Sequence, residues 1–220
     1  LLGASLYSTL SNKVEVNGVT AGQRHVVLSK KAKPTVLKLS ALFAVDAFGG
    51  GFIGQSILSY YFYVRFALDL STLGAIFFIT QVITAISFLV SERIARRIGL
   101  LRTMVFSHIP SNIFLTAVPF APTPVSAVFL LFCRHSLSQM DVPARQSYVM
   151  AVVEEQDRTA AAGFTSTTRT VSSSISPFLA GYAIANIWIG APLVAAGTLK
   201  LSYDLLIYRS FRKIRPPDEA

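Results

Sequence analysis

Cysteine is nearly absent from this sequence. Cys133 stands alone, so no disulfide framework and no cysteine-based metal site is available to it. Charge is scarce as well, at 14% of residues, and acidic side chains are the scarcer kind, 11 against 20 basic. An ordinary soluble domain carries about 25% charged residues, so this dilution excludes that class. Catalytic signatures are missing too. There is no Gly-x-Ser-x-Gly elbow, no glycine-rich phosphate loop and no paired His/Asp cluster, and serine without a base beside it is not a nucleophile. An integral-membrane enzyme is therefore disfavoured. His108 and His135 show no metal-ligand spacing with each other or with a carboxylate, so neither a metal nor a cofactor is expected. No secretory signal peptide is recognisable, and the opening Leu1-Leu2-Gly3 without an initiator methionine reads as a fragment or a processed product.

What the sequence has in abundance is apolar length. Hydrophobic residues make up 52% and mean hydropathy is +0.54. They gather in long stretches at Val36–Val64, Leu70–Val90, Thr103–Phe120, Pro124–Met140, Ala160–Ile184 and Pro192–Tyr208. Leu70–Val90 contains no Asp, Glu, Lys or Arg. About 18 or more apolar residues suffice to cross the ~30 Å hydrocarbon layer as a helix. Backbone groups in lipid have no water to satisfy them, so such stretches are driven to be helical. The expectation is an all-α polytopic membrane protein with six transmembrane helices over residues 34–210. A flexible cytoplasmic linker, 1–33, precedes them and a basic tail, 211–220, follows.

The basic residues fall on one side of this arrangement. With the chain starting in the cytoplasm, the inner segments hold Lys13, Arg24, Lys30, Lys31, Lys33 and Lys38. They also hold Arg93, Arg96, Arg97 and Arg102, then Arg145 and Arg158, and finally Arg209, Arg212, Lys213 and Arg215. The outer turns hold Arg65 alone. Such a bias places both termini in the cytoplasm, and the expected location is the plasma (inner) membrane. The net charge of +9 is thus a topology signal, and nucleic acid is not an expected partner. The inner connection Asp141–Arg158 is expected to hold a short amphipathic helix at the membrane surface.

Charges inside the apolar runs are the candidate functional residues. Asp46 lies near the middle of the first span, and Arg134 near the middle of the fourth, beside His135. An intramembrane charge costs at least ~2.5–3.5 kcal/mol, so it faces a cavity or a partner. Two readings stand: a structural Asp46–Arg134 salt bridge between the first and fourth helices, or a water-filled path for solute or a coupling proton. Arg169 either snorkels to the interface or lines the same path. Gln55 and Gln81 read equally as helix–helix hydrogen bonds or ligand contacts. Lys200 and Asp204, spaced i,i+4, read as a structural pair on one helix face. Gly49, Gly50, Gly51 and Gly54 in the first span, with Pro177 and Gly181 in the fifth, mark close helix packing or a hinge.

Several stretches give the chain a family resemblance. These are Ala47-Phe48-Gly49-Gly50-Gly51-Phe52 after Asp46, and Ser138-Gln139-Met140-Asp141-Val142-Pro143-Ala144-Arg145 closing the fourth span. Arg158-Thr159-Ala160-Ala161-Ala162-Gly163 and Ser176-Pro177-Phe178-Leu179-Ala180-Gly181 add to them in the fifth. With six spans and both ends inside, the chain resembles the C-terminal half of a major facilitator superfamily transporter, of a group common in bacteria. The family's cytoplasmic loop signature, Gly-x-Leu-Ala-Asp-Arg-x-Gly-Arg-Arg, corresponds here to the segment 92–102. Ala95, Arg97 and Gly99 match, Arg102 closes the segment, and Arg96 stands where the family has Asp.

The resemblance implies a twelve-helix bundle of which this chain supplies half, working by alternating access. It puts Asp46 and Arg134 on two cavity-lining helices and makes the last span peripheral. The implied function is transport of a small-molecule solute, with proton coupling through Asp46 as one mechanism. The implied partners are membrane lipid, the solute and an N-terminal six-helix half. A truncated, non-transporting membrane protein is the alternative.

Overall fold

A computed structural model describes residues 28–212. Most of the expected linker and most of the tail lie outside the described residues. Among those described there are helices and turns and no strand. In chain order the helices are α1 (Lys33–Gly51), α2 (Gln55–Phe66), α3 (Leu70–Ile98), α4 (Leu100–Ala117), α5 (Pro124–Ser138), α6 (Asp141–Ala151), α7 (Arg158–Asn186) and α8 (Ala191–Phe211). Short 3-10 turns occupy Val118–Phe120 and Glu155–Asp157.

Local chemistry sets the boundaries. Pro34 opens α1, where its missing N–H has no helical partner to lose. The first apolar stretch, read as one span, is broken into α1 and α2 at residues 52–54. Three successive glycines lower the helix propensity just before that break. Asp69 caps α3, accepting from the Thr72 amide at 3.1 Å. The α3 helix then runs past Val90 to Ile98, so the expected inner loop 91–102 is almost wholly helical. Its one break is Gly99, at φ 89° and ψ 159°, a conformation that only glycine adopts readily. The short amphipathic helix expected after the fourth span is present as α6. Its buried residues Asp141, Ala144, Arg145, Tyr148 and Val149 recur at helical spacing, and they face protein.

Two helical segments are long and apolar enough to cross a membrane. Lys33–Phe66 and Leu70–Ile98 span 34 and 29 residues with mean hydropathies of 1.6 and 2.2. The helices of the other four expected spans do not meet both criteria, so the count of six stays an expectation. Much of α3 presents large apolar side chains outward, among them Phe78, Ile86 and Leu89. A soluble surface would rarely do this over so contiguous an area.

Packing divides the interior into three levels. One apolar cluster joins Val36, Leu39 and Phe43 of α1 to Met104, Val105, Tyr148, Tyr203 and Ile207. A second joins Phe52, Leu58 and Phe62 to Leu115, Leu131, Leu193 and Ala196. Between them along α1 lies Asp46, along α4 His108 and Asn112, and along α8 Lys200 and Asp204. Polar groups thus form a layer sandwiched between two apolar cores. The α1 helix packs mainly on α7 and α8, while α5 packs on α3 and α4.

Candidate functional site

Asp46 is 2% exposed and holds the centre of the polar layer. Lys200 Nζ of α8 lies 2.5 Å from its Oδ1, and Arg169 Nη1 of α7 lies 2.9 Å from its Oδ2. Arg145 of α6 approaches Oδ2 at 3.5 Å, and His108 Nε2 of α4 stands 3.8 Å from Oδ1. Four helices therefore converge on one carboxylate. A lone buried charge costs several kcal/mol, which explains why so many cations gather on it.

A second ring holds the first in place. His108 Nδ1 is 2.8 Å from Asp204 Oδ1, and Asn112 Nδ2 donates to Asp204 Oδ2 at 2.9 Å. With Asp204 ionised, Nδ1 of His108 is the donor between them, because a carboxylate only accepts. Nε2 then faces Asp46. Arg145 is fixed by Asp141 one turn away, at 2.5 Å, and its guanidinium lies 5.7 Å from the Phe43 ring centroid.

An open cleft of about 340 Å³ reaches this layer between α1, α7 and α8. Asp46, Arg169 and Lys200 lie on its walls with the α7 hydroxyl residues Ser166, Thr170 and Ser173. Gly50 and Gly51 line the α1 side. These glycines are spatial necessities. A Cβ at Gly51 would stand 2.6 Å from the Ser173 carbonyl oxygen and from Ser176 Cβ. Ser173 is the residue whose helical acceptor role Pro177 cancels by lacking an N–H, so α1 backs onto a carbonyl without its usual intrahelical donor. At Gly49 a Cβ would stand 3.1 Å from Lys200 Cγ, the stem that carries Nζ to Asp46.

The geometry corrects three sequence expectations. Asp46 does not pair with Arg134, because their helices α1 and α5 pack against different neighbours. Arg134 is 7% exposed; its Nη1 lies 3.2 Å from His135 Nε2 and its Nε has no hydrogen-bond partner. Lys200 and Asp204 do not pair with each other, since α8 aims one at Asp46 and the other at His108. For the same reason the last helix is central within this chain, although the resemblance made it peripheral.

The remaining candidates are scattered. Arg169 reaches Asp46 with 27% of its side chain still exposed. Gln55 and Gln81 are exposed and away from the cleft. Gly54 and Gly181 have nothing within 4 Å of a notional Cβ, so neither marks close packing among the described residues. Arg97 and Arg102 are exposed, while Gly99 accepts from the Thr103 amide and hydroxyl at 3.0 and 2.8 Å. Arg96, where the family signature has Asp, pairs with Glu92.

His108, Asn112, Arg145 and Asp204 were not singled out as site residues from the sequence. Their signal was present as polar residues at i,i+4 spacing, His108–Asn112 and Asp141–Arg145. Such spacing in or beside an apolar run puts both side chains on one inward face.

At the other end of α1, Ser29 donates its amide and hydroxyl to the two oxygens of Asp157 at 2.8 and 2.7 Å. Those bonds hold the Asp157 carboxyl below its ordinary value of 3.8. Lys31 pairs with Glu154 at 2.8 Å, which raises the lysine above its ordinary value. The start of α1 is thereby tied to the start of α7.

Comparison with known proteins adds two findings. An uncharacterized membrane protein of Saccharomyces cerevisiae is 30% identical over 187 residues, 84% of this chain. The match covers 42% of that relative, so the chain spans less than half its length. The sequence pattern described as Major Facilitator Superfamily matches residues 4–177. With most of its length inside that match, this chain is a membrane protein and belongs to the major facilitator superfamily.

Proposed function

We propose that this chain forms the C-terminal six-helix half of a secondary transporter that moves a small solute by alternating access. Asp46 is the group that carries a coupled proton. The observation that carries this reading is one buried carboxylate, beside an open polar cleft, shared by three cations and a histidine from four other helices. In this family two halves rock about a site near the bilayer midplane, and one half supplies one wall. The tie between Asp46 and its cations bridges helices, so movement of α7 or α8 against α1 breaks it. A carboxylate stripped of Lys200 and Arg169 in a low-dielectric interior is compensated by a proton instead. His108, in contact range of both Asp46 and Asp204, extends the path along which that proton travels.

The membrane arrangement follows from charge. Six crossings, with both termini cytoplasmic in a plasma membrane, put Lys30, Lys31, Lys33, Arg93, Arg96, Arg97 and Arg212 on the inner side. Lipid covers the apolar face of α3, and an N-terminal six-helix half closes the cleft.

The test is solute-evoked proton flux in energised vesicles containing the full-length protein, with Asp46→Asn beside wild type. Wild-type flux that is lost in the variant supports the reading. Flux untouched by the substitution makes Asp46 structural. No flux with any of a broad solute panel favours a membrane protein without transport activity.

A further inference from the structure

The cleft offers donors to whatever enters it, and its one carboxylate is already engaged. Asp46 accepts from Lys200 and Arg169 at its wall, while the Ser166 hydroxyl has no hydrogen-bond partner among the described residues. Arg169 is the charged group most open to the cleft, at 27% exposure against 9% for Lys200 and 2% for Asp46. Gly50 and Gly51 leave the approach to these groups free of side chains.

Charge in the interior points the same way. Asp46 is engaged by Lys200 and Arg169, Asp141 by Arg145, and Asp204 by His108 and Asn112. At the cleft wall two cations, Arg169 and Lys200, share the single carboxylate of Asp46, which leaves positive charge in excess there. A cation in such surroundings calls for an anion. A cationic solute meets repulsion here, and a neutral one leaves the imbalance in place.

The geometry points to a small oxyanion, a carboxylate or phosphate group on the solute, bound by Arg169 and Lys200 in exchange for Asp46. Guanidinium forks match both groups through paired N–H donors, and an ammonium adds a point charge. The Ser166 hydroxyl is a further donor within the same cleft. This inference rests on the transport reading and specifies the solute class of the same site.

Proteoliposomes holding the full-length protein are given succinate, inorganic phosphate, glucose or lysine at equal concentration. Uptake of succinate or phosphate is expected, and which of the two is taken up separates the carboxylate from the phosphate source. Arg169→Gln is expected to lower that uptake at least tenfold, with Arg169→Lys retaining more. Uptake confined to glucose or lysine overturns the oxyanion assignment while leaving transport intact. Uptake in no arm overturns the transport reading and this inference with it. Because Arg169→Gln also removes a partner of Asp46, wild-type protein in detergent supplies a second measurement. Its unfolding midpoint is expected to rise with succinate or phosphate and not with glucose, and no rise with either anion overturns the proposal.

Discussion

Gly51 and Gly181 are both glycines in apolar helices, and they predict opposite outcomes. Alanine at Gly51 drives a methyl into the Ser173 carbonyl and Ser176. Backbone cannot yield as a flexible side chain does, so Gly51→Ala is expected to lose ~1–3 kcal/mol through overpacking. Gly181→Ala meets open space and gains helix propensity, about 0.5–1 kcal/mol in its favour. Thermal unfolding in detergent separates them, with a lower midpoint for the first and an unchanged or higher one for the second. The second ring allows a similar test. Asp204→Ala removes the acceptor of His108 and Asn112 together, and each orphaned donor costs about 1–3 kcal/mol. A midpoint equal to wild type would mean that these donors find other partners.

Much of the residue detail was legible in the sequence in kind and illegible in pairing. Asp46 stood out because a carboxylate in an apolar run demands compensation, and Arg169 was a candidate for the same reason. Which cation answers Asp46 depends on which helices pack together, and charge in a linear pattern does not carry that. Arg134 was the natural partner by depth alone, yet α5 turns it towards His135. Arg145 reads as an inner-side cation on a surface helix, and the packing of α6 turns it inward.

Elements show the same division. Every expected apolar run is mostly helical, because lipid-compatible sequence leaves the backbone little choice. Boundaries moved where capping chemistry overruled hydropathy, as at Gly99, or where glycine interrupted it, as at residues 52–54. The tie between the starts of α1 and α7 depends on hydrogen bonds between residues far apart in sequence, which periodicity does not report. It has a pH signature. Asp157 sits below its ordinary value of 3.8 in the folded protein, so its contribution is complete above that value. The contribution is lost as pH falls through the lower folded value. Hydrogen exchange of the Ser29 amide, corrected for intrinsic rate, is expected to stay slow at neutral pH and to quicken on the acid side. In Asp157→Asn that acid-side change should disappear, and its persistence would assign the effect to another group.

At the scale of the whole molecule, the path through the bilayer and the site depend on the same residues. Hydropathy alone supports two crossings, and polar residues inside the remaining helices dilute their signal. Those same residues, Arg169 of α7 and Lys200 and Asp204 of α8, build the layer around Asp46, so low hydropathy there reflects the site. A six-crossing path makes a specific demand: successive connections must alternate sides. Ile187, exposed between α7 and α8, then faces the opposite solution from Glu155, exposed between α6 and α7. In a Cys133→Ser background, Ile187→Cys and Glu155→Cys each place one thiol in an exposed connection. A membrane-impermeant maleimide added to sealed vesicles of known orientation is expected to label one of them, and the other only after permeabilisation. Charge decides which: Glu155 lies at the end marked by Lys31, Arg96 and Arg158, so its thiol belongs to the inner solution. Labelling of both from the same side would mean that α7 does not cross. Arg169 of α7 would then lie outside the bilayer, so the labelling pattern tests the site as well as the fold.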